Sequence, residues 1–205
     1  MSADLASSSV LPVIIAVLEL AATARYLRAV LRGATRPCRT TWLIWAPLAW
    51  LTVASSIEAG ACATLAKLVA SALGVSGIAL LSLWHGTGGR TPADLACFAL
   101  TAVGVALWAA LQAPGAGLCL FLAADLIGAL PTVCQAWRDP RHEAVDPWLL
   151  GLLGAALNLT LVDDAAWNAT LGGFALWGYP IYLTALNGVM VALTLAPGRY
   201  VAAVA

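Results

Sequence analysis

The chain has 205 residues, of which 62% are hydrophobic and 10% charged, and its 10 basic and 10 acidic side chains give a formal net charge of +0 at pH 7. Soluble domains average roughly 45–50% apolar and about 25% charged residues, so this composition excludes an ordinary soluble domain. The mean hydropathy of +0.91 describes a chain that is almost entirely membrane-embedded, with no soluble module or aromatic platform to present its basic residues to nucleic acid.

About 20 mostly apolar residues cross the ~30 Å hydrocarbon layer as a helix, and seven such segments follow in order. The first covers roughly 9–31. The N-terminus MSADLASSSV lacks Lys and Arg, and Glu19 interrupts the apolar run, so this segment reads as a retained helix and not a cleavable signal. After the break RGATRPCR come segments over roughly 41–59 and 64–84, parted by a short EAGA turn. HGTGGRTPAD leads into 93–112, QAPGAG into 117–137, RDPRHEAVDP into 147–162 and DDAAWN into 170–196. Runs this continuously apolar lack the alternation of a barrel strand, and only helices or closed barrels satisfy the backbone in lipid. The expected fold is all-α: a polytopic membrane protein with seven transmembrane helices.

Five of the ten basic residues fall between Arg25 and Trp42 with no acid among them. Cytoplasmic loops are enriched in Lys and Arg. With the N-terminus outside, Arg25, Arg28, Arg32, Arg36, Arg39, Arg90, Arg138, Arg141 and Arg199 all fall on the cytoplasmic side of a plasma membrane, as does the C-terminus; only Lys67 dissents. The cluster at Arg25, Arg28, Arg32, Arg36 and Arg39 is first an orientation signal and second a site for anionic lipid headgroups, where each basic residue contributes about 1 kcal/mol. Trp42, Trp84, Trp137 and Trp148 fall at cytoplasmic ends and Trp108 and Trp167 toward outer ends, as interfacial indoles do. Trp45, Trp50 and Trp177 lie deeper. Cys38, Cys62, Cys97, Cys119 and Cys134 are scattered singly without metal-ligand spacing, so neither a metal site nor a disulfide framework is expected, and no cofactor is implied.

An internal repeat is visible at an offset of 106 residues, which pairs Glu19 with Asp125, Arg32 with Arg138, Trp42 with Trp148 and Glu58 with Asp164. Matching rare intramembrane acids and loop landmarks without a gap divides the chain into a first three-helix repeat (1–84), a connecting helix (85–116) and a second three-helix repeat (117–205). Two halves of three crossings share one orientation only if a further helix lies between them. Parallel repeats related by an axis along the membrane normal are a known transporter arrangement.

The 3+1+3 layout, the basic first loop and LPTVCQAWRDP at the end of the fifth segment resemble the PQ-loop and SWEET-type transporter superfamily. The first loop also resembles an uncharacterised bacterial branch of multi-span membrane proteins. The family signature is a Pro-Gln dipeptide near the cytoplasmic end of the first helix of each bundle. Here Pro131 and Gln135 stand apart in the second bundle, and Arg25 and Ala29 take their places in the first. The resemblance implies small-solute transport, with proline hinges to which Pro47, Pro131 and Pro147 could correspond.

Glu19 and Asp125 lie at equivalent levels of the first and fifth segments. A charge at the bilayer centre costs about 2.5–3.5 kcal/mol on insertion scales and is a functional candidate by default. If both face the repeat axis they form a carboxylate pair able to share a proton; the competing reading is a pair of acids that fixes helix packing. Tyr26 lies seven residues after Glu19, within about 20° on the same helix face, and Thr23 four residues after it. Pro131 is either a static kink or a moving hinge. Asn187 resembles the intramembrane asparagine of SWEET-type proteins and either contacts a polar solute or bonds a neighbouring helix; Asn158 is a weaker candidate. Glu58, Asp163 and Asp164 form an outer rim, and His85 and His142 sit apart on cytoplasmic loops.

These features give a small-solute transporter, proton-linked through Glu19 and Asp125, whose partners are the bilayer and a small polar solute. The alternative is a non-transporting receptor or assembly subunit with the same fold. No HExxH, GxSxG or His/Cys cluster is present, so an enzyme is not expected. Retinal-based sensing is set aside because the only lysine, Lys67, is not in the seventh segment.

Overall fold

The structure, a computed structural model, describes residues 2–58, 62–111, 114–161 and 171–196. These form seven α-helices: α1 (Ser2–Leu31), α2 (Arg39–Glu58), α3 (Cys62–His85), α4 (Pro92–Leu111), α5 (Pro114–Arg138), α6 (Val145–Leu159) and α7 (Leu171–Leu195), with a 3-10 turn (Pro140–His142) before α6. No strand interrupts them among the described residues. The apolar segments of the sequence therefore became helices in the expected order, with ends within three residues of those expected except that α1 begins at Ser2, seven residues earlier. Glu58, Lys67, Asp163, Asp164, Trp167, Asn168 and Arg199 lie outside the described side chains.

Five helices, in α1, α3, α4, α5 and α7, are long and apolar enough to cross a membrane. The chain is thus a helical, multi-span membrane protein. The described part of α6 spans 15 residues, about 22 Å at 1.5 Å per residue, and is apolar but shorter. α2 has spanning length at 20 residues, yet Thr40, Thr41, Trp42, Trp45, Pro47 and Trp50 dilute its apolarity. Both helices have buried surfaces: Trp42, Ile44, Leu48 and Val53 of α2, and Pro147, Trp148, Gly154 and Ala155 of α6, are inside the protein. The outward faces carry Val13, Val17, Leu31, Leu73, Leu100, Val103 and Leu195, all exposed, which suits a hydrocarbon surround and no aqueous one.

α1 packs on α3 and α6, α2 on α3 and α5, α5 on α4 and α7, and α6 on α7, while α2 touches α4 at its edge. The main core gathers Tyr26 and Val30 of α1, Trp42 of α2, Ile78 of α3, Ala129 and Ala136 of α5, Trp148 of α6, and Leu186 and Met190 of α7. A second cluster joins Ile44 and Leu48 to Ala124, with Cys97, Phe98 and Val105 of α4 against it. Small residues permit the close crossings. A Cβ on Gly128 would stand 2.6 Å from Ile44 Cγ2.

The loops after α1, α3 and α5 meet at one end of the bundle. α1 stops in a Schellman motif: Gly33 takes φ 72, its N–H donates to Val30 O, and Ala34 N–H donates to Ala29 O. The chain then runs alongside the loop after α3, where Arg39 N–H donates to Thr87 O and Thr87 N–H to Pro37 O. Gly86 is required here, because a Cβ would lie 2.6 Å from the Pro37 carbonyl oxygen. Arg36 N–H donates to His142 O, 2.9 Å away, which brings in the loop after α5. Arg25, Arg28, Arg32, Arg36, Arg39, Arg90, Arg138 and Arg141 consequently gather at this basic end.

Candidate functional site

Asp125 of α5 is 9% exposed, whereas Glu19 of α1 is half-buried. Tyr179 of α7 lies within electrostatic range of both carboxyls, although among the described residues α1 itself packs on α3 and α6 and on neither α5 nor α7. The Tyr182 hydroxyl faces the Asp125 carboxyl but falls outside direct hydrogen-bond geometry and is buried without a partner. Trp45 of α2 donates its Nε1–H to the Asp125 backbone carbonyl at 3.3 Å. Phe121 and Tyr179 have ring centroids 6.4 Å apart, and Tyr179 and Tyr182 6.3 Å. The surroundings of Asp125 are therefore aromatic, with hydroxyl groups and no cation among the described contacts. On the other side, Gly154 of α6 brings its backbone against Leu18 and Glu19, 3.7 Å from Glu19 Cγ to the position a Cβ would take.

Other residues read from the sequence have different company. Thr23 turns its hydroxyl back to Glu19 O at 3.1 Å and abuts Gly74 of α3. Tyr26, seven residues beyond Glu19 and about 10 Å along the axis, is drawn to the basic end and does not join Glu19 in one polar track. Asn187 donates Nδ2–H to Leu183 O at 2.8 Å and presses its Oδ1 against Gly151 of α6, so it occupies a helix crossing. Pro131 lies inside α5, which runs through it unbroken, and the next residue, Thr132, donates its N–H to Thr41 Oγ1 of α2 at 3.2 Å. A neighbouring hydroxyl thus serves backbone beside the proline. Gln135 ties two loops, accepting from Thr87 Oγ1 and donating to Arg36 O.

Two of the tryptophans expected as interfacial anchors behave otherwise. Trp84 and Trp137 are exposed, but Trp42 and Trp148 are each 6% exposed and pack around Tyr26, with ring centroids 4.8 and 6.0 Å from it. Large flat rings bury most apolar area where several helices converge, and here that requirement prevails over the pull of the interface. Of the five arginines placed against lipid headgroups, Arg25 pairs with Asp146 at 3.3 Å and Arg39 caps Ser82 O and Gly88 O at 2.9 and 3.2 Å. Arg28, Arg32 and Arg36 are exposed.

Two carboxyls at the basic end were not singled out by the sequence. Glu143, 6% exposed, accepts from Tyr26 Oη at 3.2 Å and from Trp148 Nε1 at 3.2 Å. Burial pushes its carboxyl up to about 8, against the smaller opposing effect of these two donors. Nothing local in RDPRHEAVDP marks it, since its tyrosine partner lies 117 residues away. Asp94, 6% exposed, joins α4 to the loop before it and to α2. Its Oδ2 accepts from Gly89 N, Arg90 N, Thr91 N and Thr91 Oγ1 at 2.8–3.1 Å, and its Oδ1 accepts from Thr40 Oγ1. Thr91-Pro-Ala-Asp94 is a capping box with proline at the first helical position, a signal present in the sequence. Among the described residues no three His, Cys, Asp or Glu side chains converge as metal ligands. Compared with protein-family models, curated proteins and solved structures, the chain matches none.

Proposed function

We propose that the chain is a small-solute transporter built from two parallel three-helix repeats, 1–84 and 117–205, joined by α4, with Glu19 and Asp125 as its proton- or solute-binding acids. The observation that carries this reading is a half-buried acid on α1 and a buried acid on α5, each within electrostatic range of Tyr179 of α7. Intramembrane acids are where transport proteins exchange protons and polar solutes. Helix adjacency supports the repeat. Each triad has its first and second helices against its third, and the contacts between triads, α1 with α6 and α2 with α5, exchange under one twofold operation. Arg36 and His142, whose backbones meet, are themselves partners at the 106-residue offset. The PQ-loop and SWEET-type resemblance accords with this arrangement, Pro131 and Gln135 standing at the signature position. In this proposal the basic end faces the cytoplasm, the N-terminus lies outside, the protein is not an enzyme, and Arg28, Arg32 and Arg36 meet anionic lipid.

A test is uptake from a mixed pool of sugars, amino acids and organic cations into proteoliposomes under an imposed pH gradient. A solute enriched by the wild type and lost in Glu19→Gln with Asp125→Asn is the expected result. Folded, correctly inserted wild type that enriches nothing overturns the transporter reading; unchanged flux in the double variant removes the acids from it. The commitment of Asn187 and Gln135 to packing and loop ties favours the second reading, a non-transporting receptor or assembly subunit, which predicts a stoichiometric co-purifying partner.

A further inference from the structure

We propose that the Glu143 carboxyl is a proton-operated latch holding α1 against α6 at the basic end, seated while neutral and released when it ionises. The carboxyl sits outside the helices, in the segment between the 3-10 turn and α6, yet it is buried and bridges two of them: Tyr26 is on α1 and Trp148 on α6. Its side-chain hydrogen bonds among the described residues come from these two aromatic donors. A neutral acid is satisfied here: its hydroxyl can donate to Tyr26 Oη while its other oxygen accepts from Trp148. A carboxylate in the same place carries a buried charge with no cation against it, a state that proteins avoid.

The surrounding groups leave that charge uncompensated. On α1, Arg25 is paired with Asp146 of α6. On the segment itself, His142 is paired with Asp139, and Arg138 and Arg141 are exposed. The loop after α1 contributes Arg36, also exposed, and the buried Cys38 thiol, itself pushed up by burial. From α2 comes the Trp42 ring, whose Nε1 is buried without a partner. α7 touches the 3-10 turn and carries no charged residue anywhere along its length; His85, at the end of α3, is exposed.

The direction follows from linkage. In the seated state the carboxyl titrates near 8, and once released into water near the ordinary value of about 4.3. Seating is therefore fully favoured below the ordinary value, weakens by up to tenfold in the seated-to-released ratio for each pH unit between the two, and loses its proton-dependent advantage above about 8. The departing proton goes to solvent. Tyr26 and Trp148 both donate to the ionised form, so removing either donor moves the transition to higher pH.

The test measures distances between spin labels at the exposed positions Leu31 and Leu149, near the ends of α1 and α6, in full-length protein with its native cysteines replaced by alanine. Wild type should show one short distance at pH 5.5 and a growing longer population up to pH 9. Glu143→Gln, a permanently neutral side chain, should keep the short distance throughout. Tyr26→Phe should shift the midpoint upward and serves if the glutamine variant does not fold. A pH-independent wild-type distance overturns the latch, as does a transition that survives in Glu143→Gln or disappears in His142→Gln. No solute enters the measurement, so its result stands apart from the flux experiment.

Discussion

Replacing Asp94 should separate a structural carboxylate from an incidental one. Asp94→Ala removes the acceptor for five donors at once: the N–H groups of Gly89, Arg90 and Thr91 and the hydroxyls of Thr91 and Thr40. The exposed loop donors can recover water from the headgroup region, so their individual values of about 1.5–3 kcal/mol for charged bonds do not add. The Thr40 hydroxyl cannot recover water, since Thr40 is 0% exposed, and stranding it costs about 1–3 kcal/mol. Loss of the capping box adds about 1 kcal/mol. Together with part of the loop bonds, the variant should lose about 3–5 kcal/mol. Asp94→Asn should lose about 1–2 kcal/mol, because its Nδ2 can turn to the Thr40 hydroxyl while Oδ1 keeps the loop donors. Reversible unfolding in mixed micelles measures both. Thr40→Val should cost about 1–2 kcal/mol less in the Asp94→Ala background than in wild type. An Asp94→Ala protein within about 1 kcal/mol of wild type, or an asparagine variant as damaged as the alanine one, would refute the reasoning.

At the α6–α7 crossing, Gly151→Ala drives a methyl group into the Asn187 amide and should cost about 1–3 kcal/mol; adding Asn187→Ala should return about 1 kcal/mol of it in a double-mutant cycle. Gly86→Ala meets backbone rather than a movable side chain at Pro37, so its melting temperature should fall further than that of Gly33→Ala, where only the left-handed φ is strained. Maleimide should label exposed Cys134 well before buried Cys38. Because burial raises the Cys38 thiol, its labelling should increase with pH beyond the range where an ordinary cysteine levels off; equal rates at the two sites would contradict the closed basic end. Gln135→Ala, which cuts the ties to Thr87 and Arg36, should destabilise by about 1 kcal/mol and raise Cys38 labelling.

The helices were legible because apolar length is a local property: each segment of the sequence carries its own hydropathy and ends at its own Gly, Pro or charge. That Glu19 and Asp125 lie within α1 and α5 was legible for the same reason, since position along a helix follows from counting residues. Their neighbours were not. Which helix turns an aromatic ring toward Asp125 depends on packing between segments, and neither Tyr179 nor Tyr182 differs locally from other tyrosines. The burial of Trp42 and Trp148 was not legible, because an indole near a helix end can face lipid headgroups or the core and the sequence gives only its position along the chain. Glu143 was hidden by its loop, where acids and bases alternate. Asp94, in contrast, stands three residues after Thr91 in a cap that the sequence itself spells.

The ties at the basic end also set an order of assembly during synthesis. Asp94 needs Thr40 and its own loop, all encoded before α5, so this knot can close when four helices have emerged. The bonds to Glu143 wait longer: Tyr26 belongs to the first helix, while Glu143 and Trp148 come more than a hundred residues later. Until then the Tyr26 hydroxyl lacks the carboxyl that it serves in the finished fold, so the tie between α1 and the segment before α6 is among the last to close.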